Sequence, residues 1–261
     1  MAVVNTNVNA SIAQNALTRN ERSMNAAMEK LSTGQRINSA SDDAAGLAIA
    51  SRMTSQIRGL ETGIRNANDA ISMISTADGA LVEVSNMLQR MRELALQSAN
   101  GTTTEADRNY LNSEYANLIS EIDRIAQNTQ WNGMDLLNHA TTASSTIAYQ
   151  VGANGGQTIS VDFGDFKNTG ASGVMQDLNL THGFISAQTA ASALTAANAA
   201  VAELDNVITW MNSQRSTFGA KINQLTYAVD NLSNVKVNSE ASRSRILDTE
   251  YVKETSELAR T

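Results

Sequence analysis

The sequence predicts a mainly α protein: a long antiparallel helical bundle or coiled coil formed by both chain ends, with a small β-hairpin region in the middle. Three observations predict it. The 261 residues contain no proline. Proline inside a helix removes a hydrogen bond and clashes with the preceding turn, so very long unbroken helices are permitted. Aromatic residues make up only 4% of the chain, and the large aromatic side chains that usually dominate a thick core are scarce, which points to thin helix-on-helix packing. Apolar residues recur at helical spacings over both ends, whereas the middle alternates.

The first element is an amphipathic helix within residues 1–33, on which Leu17, Met24 and Leu31 fall seven apart. Gly34 interrupts it, and Ser39-Ala-Ser-Asp-Asp43 offers N-cap candidates for the next helix. Asp42-Asp43 is read as capping rather than as a catalytic carboxylate pair, because a helix N-terminus favours negative charge.

From about Asp42 to Ala99 there is no strong stop signal. Leu60, Ala67, Ile74, Leu81, Leu88 and Ala95 are spaced by seven. Ile64 and Ile71 accompany this row at first, and Ala77, Val84 and Met91 later, so a slip in heptad phase is expected near Ile74. At about 1.5 Å per residue the helix would be roughly 85 Å long. Asn100-Gly101 ends it. Thr104-Glu-Ala-Asp107 opens a third helix with a capping-box pattern, carrying the stripe Leu111, Tyr115, Leu118, Ile122 and Ile125 and stopping near Asn128.

Residues 129–186 change character. Ile147 to Val151 and Thr158 to Phe163 alternate around Gly152-Ala-Asn-Gly-Gly156, which is a hairpin signal. No Gly-Lys-Ser/Thr and no following helix accompany those glycines, so they are a turn and not a phosphate loop. The remainder, to about Gly183, reads as loop. From about Ala187, Leu194, Ala197, Val201, Leu204, Ile208, Met211, Phe218, Ile222, Leu225, Val229 and Leu232 alternate by three and four, broken only by Arg215. Sustained over five heptads, this is a coiled-coil signal. A more polar amphipathic stretch follows from about Ser239. Neither end can bury its stripe alone, so the economical solution packs the C-terminal helix on the N-terminal ones. The expected core includes Leu81, Leu88, Leu118, Ile122, Leu204, Ile208 and Leu225.

Composition narrows the function. The absence of cysteine excludes disulfides and thiolate metal sites. The two histidines, His139 and His182, both lie in polar loop sequence without metal-ligand spacing. No nucleophile–base set is visible, so no catalytic residue, metal or cofactor is expected. A net charge of −7 without a basic stripe argues against nucleic acid as a partner. No apolar run is long enough to span a membrane, and Met1 to Asn9 has neither the basic nor the apolar region of an ordinary secretory signal.

Several ordered stretches resemble bacterial flagellin. They are Leu31-Ser-Thr-Gly-Gln-Arg-Ile-Asn38, Asp42-Asp-Ala-Ala-Gly-Leu-Ala-Ile49 and Gln89-Arg-Met-Arg-Glu-Leu-Ala-Leu-Gln-Ser-Ala-Asn-Gly101. Glu121-Ile-Asp-Arg-Ile125, Gln130-Trp-Asn-Gly133, Val151-Gly-Ala-Asn154, Phe218-Gly-Ala-Lys-Ile-Asn223 and Ser242-Arg-Ser-Arg-Ile-Leu-Asp248 follow in order. The likeness covers nearly the whole chain except roughly 164–190.

The resemblance implies a structural subunit that polymerises into the extracellular flagellar filament for swimming, and not an enzyme. It implies a minimal form in three parts. Residues 1–41 are the N-terminal helix and spoke of the inner tube, D0. Residues 42–232 are the surrounding domain D1, with helices at about 42–99, 105–128 and 187–232 and a hairpin at about 146–163. Residues 233–261 are a C-terminal linker and a partial D0 helix, shorter than usual in the family. Leu17, Met24 and Leu31 are the expected D0 packing residues. The implied partners are further copies of the chain, the flagellar type III export machinery, the filament cap and hook-associated proteins, with secretion through the export channel. The innate immune receptor TLR5 is an implied host partner, through Gln89, Arg90, Arg92, Glu93, Leu94, Gln97 and Glu114. A hook–filament junction protein would share the N-terminal pattern but diverge at 89–101 and 218–248. A spectrin-like scaffold fits the heptads and not the motifs.

Overall fold

The structure, a computed structural model, describes residues 7–138, 145–166 and 190–261. His139, His182 and most of the loop expected after the hairpin lie outside these residues. The elements in order are α1 (Val8–Thr33), α2 (Ala44–Ser98), α3 (Glu105–Asn128), β1 (Gln130–Trp131), β2 (Met134–Asp135), β3 (Thr146–Gln150), β4 (Thr158–Asp162), α4 (Ala190–Leu247) and α5 (Tyr251–Arg260). The chain divides into two compact units, Met1–Thr62 with Asn231–Thr261, and Gly63–Asp230.

The central unit, 63–230, holds the main core. α2 contributes two buried rows. One is Ala67, Ile74, Leu81, Leu88 and Ala95, and the other is Gly63, Ala70, Ala77, Val84 and Met91. Both keep a spacing of seven throughout, so the phase slip expected near Ile74 does not occur. The larger Ile64 and Ile71, which suggested it, are only half-buried. The companion row runs through Gly63 and Ala70 instead, because backbone packs closely there: an ideal Cβ on Gly63 would stand 2.8 Å from the Val151 carbonyl oxygen. Asn66 Nδ2 donates to the Gln150 carbonyl at 2.9 Å, so the end of the hairpin is seated on α2.

α3 starts as its sequence predicts, with a reciprocal capping box between Thr104 and Asp107. Its buried residues are Arg108, Tyr115, Ile119, Ile122 and Ala126. Leu111, Leu118 and Ile125 are half-buried at the border of that arc. The stripe is therefore rotated from Leu118 towards Ile119. A helix that shares its core with α2, α4 and the hairpins buries a wider arc than a two-helix seam requires. Arg108 is 5% exposed and donates to the carbonyls of Ser98 and Asn100 at 3.2 and 3.5 Å. Its charge closes the carbonyl end of α2, where the helix dipole favours a cation.

A short hairpin, separate from the expected one at about 146–163, joins β1 to β2. Its turn is Asn132-Gly133, both at positive φ, 49° and 78°. Asn-Gly suits this backbone because two residues in the left-handed region match the twist of the flanking strands. β3 and β4 pair antiparallel from Thr146↔Asp162 to Gln150↔Thr158. Phe163 meets Phe218 with ring centroids 5.5 Å apart, and Phe166 meets Trp210 at 4.7 Å, which anchors the strand end on α4.

On α4, Ala197, Leu204, Met211, Phe218 and Leu225 are buried, while Ile208 and Ile222 are half-buried. Arg215, the one break in the apolar stripe, pairs with Asp78 of α2 at 2.8 Å. Leu81, Leu88 and Ile122 lie fully inside this core.

In the terminal unit, Ala27, Ile37, Ala50, Ile57 and Leu60 are buried, and Lys236 of α4 pairs with Glu61 of α2 at 2.8 Å. α4 continues as helix to Leu247, well past the 232 at which a linker was expected. The helix breaks at Asp248 because the backbone there pairs with another segment, as described next.

Candidate assembly surface

The site is built where the two chain ends meet. Asn7 caps α1 with its side chain, accepting from Ala10 N at 3.1 Å. Gly34 ends α1 in the left-handed region at φ 70°, donating to the Lys30 carbonyl at 2.9 Å. That reversal sends residues 34–36 alongside residues 247–249. Arg36 N donates to the Leu247 carbonyl at 2.6 Å, Thr249 N donates to the Gly34 carbonyl at 3.1 Å, and Gln35 bridges Asp248. The Arg36 guanidinium donates to the Ile246 carbonyl at 2.7 Å. One side chain thus satisfies an orphan acceptor at the end of α4.

The following turn is held by Asp42. Its Oδ2 accepts from Asn38 N at 3.1 Å, Ser39 N at 2.8 Å and Ser39 Oγ at 3.0 Å. These bonds to the charged form, with a smaller contribution from Lys30, hold the Asp42 carboxyl below its usual range. Asp43 Oδ1 accepts from Gly46 N at 2.8 Å and caps α2.

α5 lies on one side of α1. Tyr251 OH donates to the Leu31 carbonyl at 3.4 Å, Lys30 meets Glu254 at 3.7 Å, and Ala27 is buried. α5 covers only this end of α1: residues 7–26 are exposed all round in the single chain, Val8 and Ile12 included. At about 100° per residue, Leu17, Met24, Met28 and Leu31 fall within about 60° of one another. Leu17 is 69% exposed, Met24 38% and Met28 52%, and Leu31 is half-buried. Sequence spacing gave Leu17, Met24 and Leu31; Met28 completes the face at four residues from Met24 and three from Leu31, a signal that was readable. On α5, Tyr251 and Val252 are also exposed.

The second group of candidate residues lies on the central unit. Gln89, Arg90, Glu93, Gln97 and Glu114 are exposed and Arg92 half-buried. Arg90 bridges Glu114 of α3 at 2.8 Å and Glu93 at 3.1 Å, and Arg92 meets Asp205 of α4 at 2.6 Å. Leu94 does not belong with them. It is 0% exposed and part of the core, because it falls on the buried side of α2 beside Met91 and Ala95. The exposed leucine of this stretch is Leu96, at 47%.

Among the described residues, no group of three or more His, Asp or Glu side chains is placed to hold a metal ion. No described helix is long and apolar enough to cross a membrane.

Paired terminal helices with an uncovered apolar face define a subunit built to assemble, and the comparisons with known proteins give its kind. The family model of the bacterial flagellin N-terminal helical region matches residues 4–142, and that of the flagellin C-terminal helical region matches 200–261. A flagellin of Halalkalibacterium halodurans is 41% identical over 259 residues, covering 99% of this chain and 90% of that one. Flagellin A of Vibrio cholerae is 33% identical, covering 98% and 92%. The crystal structure of Bacillus cereus flagellin is 35% identical and superimposes with a TM-score of 0.51, covering 64% of this chain and 88% of that one. The chain belongs to the bacterial flagellin family, the non-enzymatic structural subunits of the extracellular flagellar filament.

Proposed function

We propose that this chain is the repeating subunit of a minimal filament that drives swimming, and that the outer face of α1 is a surface by which copies join. The observation that carries this is the exposure of Leu17, Met24 and Met28 on a helix that α5 covers only near its C-terminal end, at Ala27 and Lys30. Apolar area left in water on a helix held in place is the driving force for association, at about 25 cal/mol per Å² buried. In this reading residues 1–41 and 233–261 form the inner tube, D0, and residues 42–232 the surrounding domain, D1. Partners beyond the chain itself are the type III export apparatus that secretes it, the filament cap and hook-associated proteins.

The test is seeded elongation followed by electron microscopy. Wild-type protein extends seeds into helical filaments, and Leu17→Asn extends them at least about tenfold more slowly, since a polar group would be buried there without a partner. Equal elongation by Leu17→Asn, with α-helix content unchanged, would remove α1's outer face from the interface.

A second reading concerns a host partner. Arg90 is held between Glu114 and Glu93 on an exposed strip that also carries Gln89, Leu96 and Gln97. This ordered patch of charge with one apolar residue supports recognition of the central unit by TLR5.

A further inference from the structure

Two of the three exposed large apolar side chains on the outer face of α1 are methionines. Met24 and Met28 stand one helical turn apart, 38% and 52% accessible. The other described methionines differ. Met73, Met91 and Met211 are buried, Met53 and Met87 half-buried, and Met134 is exposed on β2 in the central unit. α5 reaches α1 through Ala27, Lys30 and the Leu31 carbonyl, so it leaves both thioethers open to solutes. A thioether is a soft, apolar packing group until it is oxidised; as a sulfoxide it becomes polar and chiral.

We propose that Met24 and Met28 form an oxidation site that controls whether a free subunit can join the filament. The oxidant is of the peroxide class. A sulfur lone pair attacks one oxygen of hydrogen peroxide, an S–O bond forms and the O–O bond breaks. Sulfur loses two electrons, and the peroxide is reduced to water as the proton passes to the departing hydroxide. Each methionine consumes one peroxide. The large neighbours on this face, Leu17 and Leu31, have no donor for the new S=O group, and the nearest donors on the helix, Asn20, Asn25 and Ser32, flank the face rather than lie on it. Burying it between subunits therefore leaves a strong acceptor without a partner, which opposes association. Once the face is buried the sulfurs are shielded, so the site acts on free subunits and spares assembled ones. The inference rests on the reading that α1's outer face is buried on assembly.

The experiment treats monomer and seeded filament with hydrogen peroxide. It maps sulfoxides by peptide mass spectrometry and measures elongation from untreated seeds. Met24 and Met28 should oxidise in the monomer ahead of Met73, Met91 and Met211, and be protected in the filament. Elongation should fall at least about tenfold and return after methionine sulfoxide reductase treatment. The Met24→Leu, Met28→Leu double variant should elongate equally before and after oxidant. Undiminished elongation with sulfoxide at both positions overturns the proposal, as does failure of the reductases to restore the wild type. A double variant that loses as much as the wild type also overturns it, since the sensitivity then lies elsewhere, Met134 included. If untreated wild type fails to elongate seeds, the assembly reading itself falls and takes this inference with it, a failure visible before any oxidant is added.

Discussion

The backbone of α2 at Gly63 touches the Val151 carbonyl so closely that an added Cβ would stand 2.8 Å from its oxygen and 3.0 Å from its carbon. Both groups are backbone, so neither yields by a rotamer change. Gly63→Ala would gain helix propensity of about 1 kcal/mol, but overpacking against a fixed carbonyl costs about 1–3 kcal/mol. The clash should win, and the hairpin should lift from α2. Gly79, on the same helix with nothing within 4 Å, provides the contrast: Gly79→Ala should stabilise by about 0.5–1 kcal/mol. Urea unfolding of the two variants checks this, and the same sign of effect for both would refute the assignment of Gly63 to a close approach.

Leu94 and Leu96 make a second pair of opposite fates. Leu94 is fully enclosed, so Leu94→Ala should cost about 2–5 kcal/mol through lost burial and a cavity. Leu96 is 47% exposed, and Leu96→Ala should stay within about 0.5 kcal/mol. Thermal melts of both separate core from surface in this stretch; near-equal shifts would contradict the burial pattern.

The helical architecture was legible because proline is absent and the heptads are long, and these signals are local. What the sequence hid depended on three-dimensional neighbours. Gly63 and Ala70 carry the second buried row of α2, but their small side chains give no hydrophobic signal, so the bulkier Ile64 and Ile71 drew attention instead. Ile119 outranks Leu118 because α3 has more than one neighbour, which spacing on a single helix does not reveal. Leu94 follows the charged run Arg90-Met-Arg-Glu93 in the chain and yet falls on the inner side of the helix. The break of α4 at Asp248 has no Gly or Pro to announce it; it exists because residues 34–36, more than two hundred positions earlier, use that backbone for pairing. On α1 the spacing of Leu17, Met24 and Leu31 identified the face, while its exposure in the single chain required the position of α5. Asn132-Gly133, by contrast, is a local hairpin signal that the sequence itself carries.

Carboxylates of opposite tendency should divide the pH profile of stability. Asp42 and Asp107 are held below their usual range by hydrogen bonds from Ser39 and Thr104, and Asp205 by its bond to Arg92. A folded-state pKa below the unfolded value of 3.8 gives stability that is present above 3.8 and lost as pH falls through the folded value. Glu203 is the reverse. One of its oxygens is shut off from solvent without a hydrogen-bond partner among the described residues, and desolvation raises its carboxyl above 4.5. Its charged form is a liability at neutral pH, relieved as pH falls through the raised value. Asp42→Asn should flatten the loss below about pH 3.8, whereas Glu203→Gln should stabilise at pH 7 and not at pH 4. Unfolding free energies across pH 2–7 check both; an Asp42→Asn profile parallel to wild type below pH 3.8 would deny the carboxylate its role in the turn.

The exposed strip on α2 yields the last prediction. Arg90 and Glu114 are each roughly half-exposed, 48% and 46% at the side chain, and an ion pair in that setting is worth about 0–1 kcal/mol. Removing Arg90 should therefore leave the melting temperature almost unchanged. A partner that desolvates the same guanidinium would lose a central contact, and such residues cost about 2 kcal/mol or more when truncated. Arg90→Ala with Gln97→Ala should accordingly melt like wild type but activate a TLR5 reporter cell at least about tenfold less well. Leu94 is kept in both proteins, because its loss would unfold the surface rather than edit it. Full receptor activation by the Arg90→Ala, Gln97→Ala protein would show that this strip merely solvates the helix.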